Sequence, residues 1–204
     1  MTQNIAPTRV PVHDLIARRW SARHFDPHKP VSEAQLHALL EAAHWAPSCY
    51  GDQPWRFVVF DRQRDEAAWR RAQECLLEAN RRWACQAPLL ILAAASRVFS
   101  VTGEPNPWAE YDTGAAMENL SLQATAMGLV ARQMGGFDAA RVREYFGVPK
   151  DYRPLVIIAV GHPLADEQAA EARRRNPRGQ HFFRGRWGLA LEQLSRENQE
   201  GETC

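Results

Sequence analysis

Two short apolar runs, residues 88–95 (PLLILAAA) and 154–160 (PLVIIAV), constrain this chain more than any other feature. A strand that is apolar at every position, rather than at alternate ones, must be covered on both faces. Each run therefore reads as an interior strand of a sheet buried within the protein. The chain has the material to cover it. At 204 residues, with 45% hydrophobic and 24% charged residues, it is large enough for one substantial soluble domain. A single domain over residues 1–204 is the expectation.

The remaining pattern surrounds these runs with helices. Val12, Leu15, Ile16 and Arg19 recur at helical spacing, which predicts a helix over 11–19. Pro27 and Pro30 interrupt, and Ser32 then caps a second helix that stops before Pro47. Residues 55–60 are rich in aromatic and β-branched side chains and predict a strand; 65–86 follow as one charged, amphipathic helix. The loop 96–108 carries Gly103, Pro105 and Pro107 and could serve as a lid or entrance. Asp112 or Thr113 is the expected cap of a helix rich in small residues that reaches Met127, with Gly128 as its stop. A strand over 129–134, a short helix over 139–146 and the second apolar run complete an α/β or α+β order. Residues 165–182 are expected to leave the body as an extended arm, ahead of a last helix near 187–198.

Charge and cysteine usage exclude several functions. A net charge of +1 gives no electrostatic reason to expect nucleic acid or an anionic membrane as partner. Cys49, Cys75, Cys85 and Cys204 form no Cys-x-x-Cys pair, and the histidines show no H-x-x-x-H or H-E-x-x-H spacing, so metal chemistry is not supported. Ser48 and Ser121 lack the glycine frame of a nucleophile elbow. A small buried residue is the expected role for Cys49, since no adjacent base lowers its pKa. Trp20, Trp45, Trp55 and Trp187 are expected to anchor core or interface packing. The N-terminus has no basic start followed by an apolar run, and residues 87–95 are too few to span a bilayer, so a cytoplasmic protein is expected.

Candidate binding residues fall in separated segments. Arg19 and Arg23 are four apart, so they share a face whether the backbone is helical or extended, and two guanidinium groups can converge on one anion. Ser21 adds a hydroxyl if the segment is extended; the competing reading is a solvated, arginine-rich helix end. Residues 46–57 carry the turn residues of a loop between helix and strand, in which Gln53 offers an amide edge to a heterocycle and Pro47 and Pro54 could equally hold a structural turn. Gly135 and Gly136 follow a strand and could let backbone N–H groups approach a ring, or form an ordinary turn. Arg173, Arg174 and Arg175 read either as a phosphate contact or as a solvated charge run.

Taken in order, these segments resemble the FMN-dependent nitroreductase family across nearly the whole chain. Arg19-x-Ser21-x-Arg23-x-Phe25 is similar to its N-terminal flavin motif, and Ala46-Pro47-Ser48 with Gln53-Pro54-Trp55-x-Phe57 to its second. Asp112-x-Gly114-x-Ala116-x-x-Asn119-Leu120 resembles its central helix, Met134-Gly135-Gly136-Phe137 and Gly147-Val148-Pro149 the segments after it, and 154–163 its last core strand. The resemblance implies an α+β fold with a mostly antiparallel central sheet flanked by helices, as an interlocked homodimer with FMN at the interface. It implies that Arg19, Ser21 and Arg23 hold phosphate and ring edge, that Pro47, Ser48 and Gln53 lie along the ribityl chain and ring, and that Gly135 and Gly136 offer backbone contacts. Arg173 and Arg175 match a C-terminal basic pair that reaches phosphate. The implied activity is hydride transfer from NAD(P)H through FMN to a nitroaromatic, quinone or related small acceptor by a ping-pong mechanism, with Arg23 favouring negative charge on the ring and no side chain assigned as catalytic. Other flavin chemistry, or a non-enzymatic flavin-binding role, is the alternative on the same scaffold. The chain departs from the family at Gly51, where asparagine is frequent.

Overall fold

The computed structural model describes residues 5–164 and 173–191, and the chain divides into two compact units, residues 1–171 and 172–204. The first unit is built around a four-stranded antiparallel sheet of β1 (Trp55–Asp61), β2 (Leu89–Ser96), β3 (Val130–Met134) and β4 (Tyr152–Gly161) in the order β1-β2-β4-β3. The two apolar runs are its central neighbours, with Leu89 opposite Val160 and Ile91 opposite Ile158. All eight residues of β2 are buried. The antiparallel pairing of every strand, with helices flanking the sheet, makes the fold α+β.

Alternation along β2 divides the core between two layers. Leu89, Ile91 and Ala93 pack with Leu36 and Leu39 of α2 (Glu33–His44) and with Ala116, Leu120 and Ala124 of α5 (Ala109–Ala126). Leu90 and Leu92 pack on the opposite layer with Trp69 and Ala72 of α3 (Glu66–Cys75), Ala84 of α4 (Glu78–Ala84) and Val142 of α6 (Ala139–Phe146). Leu39 and Leu120 are fully buried, and truncating either to alanine would cost about 2–5 kcal/mol through lost transfer energy and the cavity left behind. The small residues on α5 are what let it lie close to both α2 and the sheet.

Ser32 caps α2 as its sequence implies: the hydroxyl accepts from the Gln35 N–H, and the Gln35 side chain accepts from the Ser32 N–H. Gly128, at φ +72°, closes α5 in the left-handed region. Three expectations are corrected. Residues 65–86 are two helices, because Leu76 is extended and bridges Phe137 while the Leu77 N–H donates to the Gly136 carbonyl at 3.0 Å. The long-range pairing to the segment after β3 overrides the continuous helical pattern. Helix α5 begins at Ala109, one turn before the expected cap; the Asn106 Oδ1 accepts from the Trp108 N–H at 3.0 Å, leaving Asp112 and Thr113 inside the helix. Residues 187–191 form a turn and bridge rather than a helix, because Gly185 and Gly188 adopt φ of +74° and +87° and bring Phe183 opposite Ala190. Residues 192–198 of that expected helix lie outside the described residues.

The first helix, α1 (Asp14–Arg18), is short and ends as Arg19 turns extended at φ −61°, ψ 124°. Cys75 is buried, and burial pushes its thiol up to about 11 against the opposing charge of Arg141, which keeps it a packing residue at neutral pH. Among the described residues, no helix is long and apolar enough to cross a membrane.

Candidate functional site

The extended backbone after α1 selects between the two geometries open to the first segment. It brings Arg19 and Ser21 onto one side, with the guanidinium 3.5 Å from the Ser21 Oγ. The Arg19 Nε lies 3.6 Å from a Glu118 carboxylate oxygen on α5, and the Arg19 side chain is only 20% exposed. A guanidinium in this setting has the planar donor fork that a phosphate accepts from. Burial raises the Glu118 carboxyl above the usual range, and the Arg19 charge opposes that rise. Arg23 is exposed further along the same segment. At the end of α1 the Arg18 Nε is buried without a hydrogen-bond partner among the described residues, as a donor awaiting an acceptor would be.

Arg132 on β3, which sequence reasoning missed, holds this segment from outside. Its guanidinium donates to the Ser21 carbonyl at 2.8 Å and lies 5.1 Å from the centre of the Trp83 ring, which itself stacks with Phe25. No local motif marks it, because the tie joins positions 111 residues apart.

The second segment is locked by its own turn. A 3-10 turn over Cys49–Gly51 leads to Gln53, whose N–H donates to the Ser48 Oγ at 3.1 Å. Tyr50, Gly51 and Gln53 have φ of +53°, +67° and +52°, all left-handed. Glycine and asparagine are the residues that accept this conformation most readily, so Gly51 keeps the turn that asparagine would make and omits only its amide. The Cys49 N–H donates to Asp112 of α5 at 2.9 Å, which explains why Asp112 serves the loop rather than the helix cap. Cys49 is half-buried rather than buried, since this bond holds it at the edge of the core. Pro47 is exposed; Pro54 is buried, and its carbonyl accepts from the Ser96 N–H at 2.8 Å.

The glycine pair after β3 serves two purposes. A Cβ at Gly136 would meet the Asn80 amide at 2.7 Å, and that amide donates to the Gly136 carbonyl at 3.0 Å, so a side chain here would displace the Asn80 amide from this bond. A Cβ at Gly135 would meet nothing within 4 Å, which leaves open space beside an exposed backbone. Arg173 and Arg175 belong to the second unit, where Arg175 donates to the Arg174 carbonyl at 2.9 Å. Of the four tryptophans singled out, Trp55 is buried and Trp20 partly so, while Trp45 and Trp187 are 76% and 91% exposed.

Within the first unit the first segment is tied to α5 and β3, and the second to the start of α5. The donor chemistry of Arg19, Ser21 and the orphaned Arg18 Nε fits a phosphate, and the open backbone at Gly135 fits close approach of a flat group.

Comparison with known proteins identifies the family. The family model described as the nitroreductase family matches residues 16–162. The chain is 31% identical over 195 residues to protein DrgA of Synechocystis, covering 81% of this chain and 90% of that one. It is 28% identical over 168 residues to an NADH dehydrogenase of Thermus thermophilus, covering 67% and 80%. A crystal structure described as an oxidoreductase containing FMN superposes with a TM-score of 0.81 at 32% identity, covering 90% of this chain and 96% of its own. The chain belongs to the nitroreductase family.

Proposed function

We propose that this protein is an FMN-dependent oxidoreductase that draws electrons from NAD(P)H and delivers them to a nitroaromatic, quinone or related small acceptor in a ping-pong sequence. The observation that carries the reading is the paired Arg19 and Ser21 at the end of α1, in a chain similar to a structure described as containing FMN. FMN, when held there, would supply the redox chemistry between nicotinamide and acceptor.

The chain's own residues bind and orient. Arg19 and Ser21 would hold phosphate and, with Arg23, the ring edge, where the charge of Arg23 would favour added negative charge. Pro47, Ser48 and Gln53 would hold the ribityl chain and ring, Gly135 and Gly136 would offer main-chain contacts, and Arg173 and Arg175 would bind phosphate. No side chain is required to act as general acid or nucleophile. The same reading takes the chain as one functional domain with an arm over 165–182, of which 165–172 lie outside the described residues, in a cytoplasmic homodimer. Exposed apolar side chains such as Ile16, Trp108 and Tyr111 support the dimer, since burying them removes apolar surface from water.

The test is reconstitution with FMN followed by desalting. A retained flavin spectrum, bleached in stopped flow by NADH or NADPH and restored by a quinone, is expected. Colourless protein after desalting overturns the reading, and bound flavin without turnover for any acceptor moves it to a binding role.

A further inference from the structure

Asp52 lies between Ser48 and Gln53 of the candidate site, yet its carboxylate faces another loop. Its Oδ1 accepts from the Ser100 N–H at 2.8 Å and from the Ser100 hydroxyl at 2.7 Å, and its Oδ2 accepts from the Asn106 amide at 3.2 Å. Asn106 is buried and also holds the start of α5 through Trp108. The loop it closes is a small unit of its own. The Asn106 N–H donates to the Arg97 carbonyl and the Phe99 N–H to the Glu104 carbonyl, each at 2.8 Å, and Val98 bridges Pro105. A ring contact between Tyr50 and Phe99, 5.9 Å apart, adds a second tie between the two loops. The loop's tip, Val101, is 93% exposed.

The loop is tied at its base by the Arg97 N–H, which donates to the Asp151 carbonyl at 2.8 Å, and the Asp52 carboxylate supplies a charge-assisted fastening at Ser100, nearer its tip. Burial pushes that carboxyl up, but the two Ser100 bonds, Asn106 and the Arg56 charge outweigh it and hold it below the usual carboxylate range. It is therefore ionised at neutral pH and can accept all three bonds.

We propose that Asp52 is a positioning residue that latches the 97–106 loop to the 48–53 segment and so limits the size of acceptor that reaches the flavin face. The latch stands on the bonds above; the acceptor limit rests on the proposed function.

Two measurements test it on the full chain. In hydrogen–deuterium exchange without flavin, Asp52→Ala and Asp52→Asn are expected to accelerate exchange at the Ser100 amide by about tenfold or more, the equivalent of losing a bond to a charged group. With FMN bound, the ratio of kcat/KM for a bulky quinone over a small one is expected to rise about threefold or more, whereas simple destabilisation lowers both alike. Ser100→Ala is expected to shift the ratio in the same direction by less, and Asp52→Ala/Ser100→Ala no further than Asp52→Ala alone. Unchanged Ser100 protection in folded variants overturns the latch. Faster exchange with an unchanged ratio overturns the acceptor limit. If the wild type holds no FMN, the acceptor limit falls with the proposed function while the exchange arm still decides the latch.

Discussion

The two candidate binding segments, residues 19–23 and 48–53, are built on opposite plans. The first segment leaves α1 through an extended Arg19, places its guanidinium 3.5 Å from the Ser21 Oγ, and is tied to β3 by Arg132. Residues 48–53 are coiled through three left-handed residues and fastened through Ser48, Cys49 and Asp52. The first contributes guanidinium groups; the second contributes a shape fixed by its own turn. That division suits a ligand with an anionic tail and a rigid ring, because electrostatic capture tolerates small adjustments and ring orientation does not.

The largest expected effect falls on the first segment. Arg19→Ala should weaken FMN binding by about a hundredfold, as the loss of charge-assisted hydrogen bonds to phosphate implies, while the far-ultraviolet circular dichroism stays that of the folded protein. Arg23→Ala should act in the same direction. Fluorescence titration measures both, and unchanged affinity in both would remove phosphate binding from this segment.

Substitution in the second segment should cost stability before affinity. Gly51→Val forces a β-branched residue into φ +67° and should destabilise the fold by about 1–2 kcal/mol, although a Cβ there meets nothing within 4 Å. Gly51→Asn tolerates that backbone and should leave the urea midpoint nearly unchanged. If Gly51→Val is equally neutral, the turn is not the rigid element described.

The smallest effect concerns pH. Asp52 titrates below its usual value in the folded protein, so in the window between its folded and unfolded values the native state binds fewer protons than the unfolded chain. Its contribution is complete above about pH 4 and is lost as pH falls through the folded value. Stability of the wild type should therefore rise with pH across that acid window more steeply than that of Asp52→Asn, measured as urea midpoints. Equal slopes would detach the carboxylate from loop stability.

Local chemistry made part of this legible. The Ser32 cap, the left-handed stop at Gly128 and the two buried strands each depend on residues within a few positions of one another. The break at Leu76, the early start of α5 and the turn of Asp112 toward Cys49 depend on partners far along the chain. A helical pattern over 65–86 gives no sign that Gly136 will claim the Leu77 N–H.

By itself, then, the sequence determined a sheet apolar on both faces, the helices needed to cover it, and which residue types could meet a phosphate and a flat ring. Only the tertiary structure decided that Arg19 and Ser21 share one side, that Arg132 steadies them, and that Asp52 ties two loops together. The physical reason is range: periodicity and capping are settled within a turn or two of chain. A hydrogen bond between residues dozens of positions apart exists only once the sheet has brought them together.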